Sequence, residues 1–188
     1  MREMAVNFCM SCGHPMETRE VDGVERRVCT ACGNVHWGNY SIGVGALVFK
    51  DEKMLLVRRA QEPGKGKWTN PGGYIEQLEP IEQTIVREVL EETGIQAEVK
   101  SIVAVRDQPR SIHNVYIAFE MDYVEGEPRP DEVEVDQAGF FSLEEMKDME
   151  LASFTRWLLD VALHVDKNGL TIDQKATAAG NGDVYFRL

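Results

Sequence analysis

The sequence predicts an α+β protein: a set of short strands around one amphipathic helix, closed by a second helix and preceded by a small cysteine module. Three observations carry this. Five apolar runs of strand length recur between Ile42 and Phe141. One loop-to-helix segment, Gly73 to Ile95, is far more acidic than its helical pattern requires. All 4 cysteines lie before residue 33, in two C-x-x-C pairs.

Taken in order, Cys9-x2-Cys12 and Cys29-x2-Cys32 are separated by 16 residues, and each pair is followed by glycine. That spacing suits a tetrahedral zinc site of four thiolates, closed and structural rather than catalytic. The intervening METREVDGVERRV alternates and holds Asp22-Gly23, a hairpin turn signal. Residues 1–38 are therefore expected to form a zinc ribbon too small to fold on its own core. Two disulfides or a redox C-x-x-C pair are the alternatives. His14 and His36 lie nearby and are expected at the surface.

A second domain is expected over residues 39–188. Ile42 to Phe49 and Met54 to Arg58 flank Lys50-Asp51-Glu52-Lys53 and read as a hairpin of buried strands. After a glycine-bearing loop, Gln61 to Gly73, the segment from Pro80 to Gly94 reads as a helix, with proline suited to its first position and glycine to the one past its end. On that helix Ile81, Ile85, Val86, Val89 and Leu90 share one side, while Glu88, Glu91 and Glu92 crowd an arc of roughly 100°. Such a cluster opposes the helix dipole and repels itself. Carboxylate oxygens are the ligands that Mg²⁺ or Mn²⁺ prefers, and a bound cation would turn repulsion into coordination. Ala97 to Val105, Val115 to Val124 and Ala138 to Phe141 read as further strands. Ser142-Leu143-Glu144-Glu145 is a capping signal, and Leu151 to Val165 is a closing helix. In the tail, Asp166 to Leu188, Val184-Tyr185-Phe186 is an extra strand or a partner contact.

The Gly73 to Ile95 segment resembles the Nudix box, G-x5-E-x7-R-E-U-x-E-E-x-G-U with U aliphatic, at every fixed position. Trp68-Thr69-Asn70-Pro71-Gly72-Gly73 resembles the W-x-x-P-G-G approach common in Nudix hydrolases. The resemblance implies an α/β/α sandwich with a mixed sheet, and hydrolysis of a phosphoanhydride. It implies that Glu88 and Glu92 hold the catalytic Mg²⁺ or Mn²⁺, with Glu91 assisting and the Gly72 carbonyl as a further ligand. Glu79 would hold a coordinated water or orient the helix, and Arg87 would pair with a box carboxylate. The general base comes from outside the box in many members, on a mobile loop ahead of a strand; here Glu134 fits, with Glu132 in reserve. Arg58, Arg59 and Arg106 are candidates for gripping substrate phosphate bidentately.

A zinc ribbon ahead of such a domain resembles NADH pyrophosphatases and a related group acting on ADP-ribose and FAD. The NADH signature S-Q-P-W-P-F-P-x-S has only Arg106-Asp107-Gln108-Pro109-Arg110-Ser111 opposite it. The expected substrate is therefore a nucleoside diphosphate derivative, ADP-ribose or FAD, split to AMP and a second phosphomonoester. NADH and nucleoside triphosphates are the alternatives, and a nucleotide-sensing or nucleic-acid-binding regulator is the rival from another class. With 20 basic against 32 acidic residues the net charge is −12, which argues against a broad nucleic-acid surface. In the ribbon Arg19, Arg26 and Arg27 are interleaved with acids, a thin face for nucleic acid. No apolar run approaches the roughly 18 residues of a membrane span, and MREMAVNFCM lacks a secretory core, so a cytoplasmic location is expected. Many relatives are dimers, which makes a homodimer the expectation.

Overall fold

The computed structural model describes residues 6–163, 171–175 and 184–187. Its contacts divide into two units, Met1–Tyr40 with Pro109–His113, and Ser41–Gln108 with Asn114–Leu188.

In the first unit, β1 (Met16–Val21), β2 (Val24–Cys29) and β3 (Val35–His36) form a three-stranded sheet in the order β1-β2-β3. Val21 pairs with Val24, so Asp22-Gly23 is the whole turn. Its residues take φ 52 and 78, the double left-handed pair that matches strand twist. The unit's buried residues, among those described, are Cys9, Met16, Val28 and Cys29, with Val6 packed against the cysteine cluster. That is too little apolar surface to hold 30-odd residues by burial alone.

The second unit contains β4 (Tyr40–Lys50), β5 (Lys53–Arg59), β6 (Trp68–Thr69), α1 (Ile81–Thr93), β7 (Gln96–Gln108), β8 (His113–Glu125) and β9 (Val135–Phe141). A 3-10 turn (Glu145–Asp148), α2 (Ser153–Leu163), β10 (Thr171–Ile172) and β11 (Val184–Arg187) follow. The mixed sheet runs β10-β11-β7-β8-β4-β5-β6, with β9 paired to β5. Alternation along β4 and β5 divides the core in two. Val44, Ala46, Val48 and Leu55 join Ile85 and Val89 of α1 on one side. Leu47, Met54 and Leu56 join Leu158, Leu159 and Val161 of α2 on the other. Helix, sheet and helix are thus stacked as an α/β/α sandwich, because a two-residue period sends alternate side chains to opposite faces.

Several expectations are refined. The β4–β5 turn is made by Asp51 and Glu52 at φ 48 and 60, left-handed positions that non-glycine residues occupy at a cost. Pro80 is not the first helical residue but the N-cap, extended at ψ 141, and Gly94 caps the far end at φ 70. The buried side of α1 differs from the apolar stripe: Thr84, Ile85, Val89, Glu92 and Thr93 are inside, while Val86 and Leu90 are 38% and 46% exposed. Ser142 and Glu145 do form reciprocal capping bonds, Ser142 N–H to Glu145 Oε2 at 2.7 Å and Glu145 N–H to Ser142 Oγ at 3.3 Å. They start only a single 3-10 turn. The closing helix begins at Ser153, and Val165 lies outside the described residues. So does much of the tail, but β11 is the anticipated strand and pairs antiparallel with β7. Among the described residues no helix is long and apolar enough to cross a membrane.

Candidate active site

Trp68 and Thr69 pair with β5, and Pro71 to Gly73 then runs along β4. Ala46 N–H donates to Pro71 O at 2.9 Å, and Val44 N–H to Gly73 O at 2.8 Å. A Cβ on Gly72 would stand 2.2 Å from Val44 O, and one on Gly73 only 2.4 Å from the Glu88 carboxyl carbon. Glycine is required at Gly72, where fixed backbone occupies the space of a side chain, whereas a side chain at Gly73 would have to displace the Glu88 carboxylate. The loop is held from behind by a polar network. Buried Asn70 donates to Tyr116 Oη at 3.1 Å and accepts from Thr155 Oγ1 at 3.2 Å, and Thr155 pairs with Thr69 at 3.0 Å. Burial pushes the Tyr116 hydroxyl up to about 12, so it serves as a neutral donor and acceptor.

Helix α1 then presents its carboxylates to this loop. Glu92 is only 7% exposed, and among the described residues its hydrogen bond is from Gly72 N–H at 2.9 Å. Burial raises its carboxyl to about 8 despite that bond, with the charges of Glu88 and Glu134 adding to the push. Glu88 is raised as well, first by burial and also by Glu91 and Glu134, against the pull of Arg87. Two desolvated carboxylates side by side are held at a cost that a cation would relieve. Arg129 N–H donates to Thr93 O at 2.7 Å, which joins the segment ahead of β9 to the C-terminal end of α1, and the charge of Glu134 acts on both carboxyls.

Arg87 gathers the others. Its guanidinium donates to Glu79, to Glu88 at 2.8 Å and to Glu91 at 2.9 Å. Glu79 also accepts from Thr84 Oγ1 at 2.9 Å, and Arg87, with Thr84, holds its carboxyl below the usual range. Glu79 thereby ties the incoming loop to the first and second turns of α1. The box glutamates do not converge into one cage here; among the described residues the four cysteines are the one cluster whose ligand atoms all lie within 4.8 Å.

The arginines are dispersed. Arg58 is forked onto Asp136 at 2.7 and 3.1 Å, so its bidentate face is already used. Arg59 donates to Pro63 O at 2.8 Å. Arg106 lies 3.9 Å above the Phe154 ring, its buried Nε without a hydrogen-bond partner among the described residues. Glu132 and Glu134 are exposed. Sequence reasoning missed Asn70, Thr84 and Tyr116 as supports, since isolated polar residues in a loop, helix or strand carry no spacing signal.

In the first unit the sulfurs of Cys9 and Cys32 are 3.7 Å apart, and Cys12 is 3.4 Å from Cys29 and from Cys32. These are not disulfide distances; a tetrahedron with arms of about 2.3 Å has edges of about 3.8 Å. N–H groups of Cys32 and Ala31 lower the Cys29 thiol to about 6 against the effect of burial. The arrangement fits a tetrathiolate metal site.

A glycine approach set against a carboxylate-bearing helix, in an α/β/α sandwich that follows a cysteine ribbon in the sequence, defines a class, and the chain belongs to the Nudix hydrolase family. Residues 39–159 match the family described as NUDIX domain, and residues 7–37 match the zinc ribbon described as Nudix N-terminal. Among its relatives, the NAD-capped RNA hydrolase NudC of Stutzerimonas stutzeri (strain A1501) is 31% identical over 157 residues, covering 83% of this chain and 55% of the relative. The ADP-ribose pyrophosphatase of Methanocaldococcus jannaschii is 32% identical over 126 residues, 62% of this chain and 74% of that one. A crystal structure of a Nudix hydrolase from Nitrosomonas europaea superposes with a TM-score of 0.75 at 29% identity, covering 84% of this chain and 90% of that one. The chain thus spans little more than half the length of its NudC relative.

Proposed function

We propose that this protein is a divalent-metal-dependent pyrophosphohydrolase that cleaves the pyrophosphate bond of a nucleoside diphosphate derivative, ADP-ribose or FAD, to AMP and a second phosphomonoester. The observation that carries the reading is the pair of desolvated carboxylates, Glu88 and Glu92, set against Gly72-Gly73 with no cationic side chain on Glu92 among the described residues. Mg²⁺ or Mn²⁺ held there would neutralise the diphosphate and favour attack at phosphorus. Glu88 and Glu92 would hold it, with Glu91 and the Gly72 carbonyl contributing. Glu134 would take the proton of the attacking water as the phosphorus–oxygen bond to the leaving phosphate breaks. Glu79 and Arg87 orient the box. Arg59 and Arg106 are the arginines better suited to meet substrate phosphate, since the Arg58 fork is engaged with Asp136.

The ADP-ribose pyrophosphatase relative supports this choice. The NudC relatives favour a second reading, cleavage of NADH or of an NAD cap. Purified protein with Mg²⁺ or Mn²⁺ tested against ADP-ribose, FAD, NADH and nucleoside triphosphates decides between them. Turnover of ADP-ribose or FAD is expected; activity confined to triphosphates would overturn the assignment. The same reading places Zn²⁺ on the four cysteines, in a bracing role, and a homodimer in solution, which sizing before and after chelation tests.

A further inference from the structure

We propose that Asp131 is a positioning residue for Glu134, its carboxylate fixing the turn ahead of β9 in the conformation that presents Glu134 to Glu88 and Glu92. The inference rests on Glu134 being the base in the function proposed above. Asp131 accepts three consecutive backbone N–H groups: Val133 at 2.9 Å, Glu134 at 3.0 and 3.3 Å, and Val135 at 3.0 Å. An anionic acceptor makes such bonds shorter and stronger than neutral ones.

The turn so formed is held from both sides. Within it, Glu132 takes φ 64, a left-handed state that a glutamate adopts only when its surroundings impose it. From β5 and the residues after it, Ala60 N–H donates to Glu134 O at 2.8 Å and Gln61 Nε2 to Val133 O at 2.8 Å. Just beyond, the Arg58 fork grips Asp136. The backbone of 131–136 is therefore tied down at nearly every residue. The Glu134 side chain is exposed and, among the described residues, is left outside this web. A base must reach its water in a productive geometry, and fixing the backbone that carries an exposed glutamate narrows the positions its carboxylate samples. Where a mobile loop was expected, the chain has a clamped one, and Asp131 is the side chain that closes the clamp.

The test is a cycle of Asp131→Ala, Asp131→Asn, Glu134→Gln and the double variant Asp131→Ala/Glu134→Gln, assayed with Mg²⁺ on ADP-ribose and on NADH. Asp131→Ala is expected to lower kcat by about 10- to 100-fold with KM little changed. Asp131→Asn, whose amide oxygen still accepts, recovers most of that loss. In the Glu134→Gln background Asp131→Ala costs nothing further. Amide hydrogen exchange at Val133, Glu134 and Val135, slow in the wild type, quickens in Asp131→Ala with or without metal. Equal losses in both backgrounds, or wild-type kcat in Asp131→Ala, would overturn the proposal while leaving the base intact. Full turnover in Glu134→Gln would remove the base assignment itself.

Discussion

Glu92 is the residue at which sequence and environment disagree most. A glutamate in the penultimate position of a helix belongs in water, yet this one is buried against Gly72 with its carboxyl raised to about 8. Its unfolded value is near 4.3, so the group favours the folded state fully below that pH and withdraws its support as pH rises towards 8. Metal-free protein is therefore expected to lose thermal stability across that window, by a few kcal/mol at most. Glu92→Gln should flatten the profile and raise the melting temperature at pH 8, while lowering turnover by at least about 100-fold. Melting curves from pH 5 to 9, with and without Mg²⁺, check both. A Gly73→Ala variant acts through the neighbouring carboxylate: its Cβ would meet Glu88 at 2.4 Å. A loss of activity exceeding any loss of stability is expected.

At the scale of elements, helix α1 shows how packing overrides periodicity. Ile85 and Val86 are adjacent aliphatics on the same apparent stripe, but Ile85 is fully buried and Val86 is 38% exposed. Truncating Ile85 to alanine should cost about 2–5 kcal/mol, and Val86 to alanine well under about 1 kcal/mol. Denaturant unfolding of the two variants distinguishes them. The β4–β5 hairpin offers a prediction of opposite sign. Glu52 sits at φ 60 in its turn, so Glu52→Gly should stabilise the protein by about 1 kcal/mol, through relief of left-handed strain.

For the whole molecule, the two units rest on different physics. The sandwich has apolar clusters on both faces of its sheet, whereas the ribbon's buried residues, among those described, are Cys9, Met16, Val28 and Cys29. Chelation of zinc should therefore unfold residues 7–37 and leave the sandwich standing. Limited proteolysis after chelation is expected to cut between Cys9 and Cys32 first, while the unfolding midpoint of the second unit holds; simultaneous loss of both would show the ribbon to be an integral part of the fold.

The sequence alone determined the ribbon, the box and the order of strands and helices. Cysteine spacing, turn glycines and two- and three-residue periodicities are local, and local geometry suffices to read them. Tertiary structure alone decided which face of α1 is buried, that Asn70 and Tyr116 back the glycine loop while Thr84 holds Glu79, and that Asp131 accepts the N–H groups of Val133, Glu134 and Val135. Those outcomes depend on neighbours far away in the chain, because burial and hydrogen-bond partnership are properties of the folded surroundings and not of any residue's own position in the sequence.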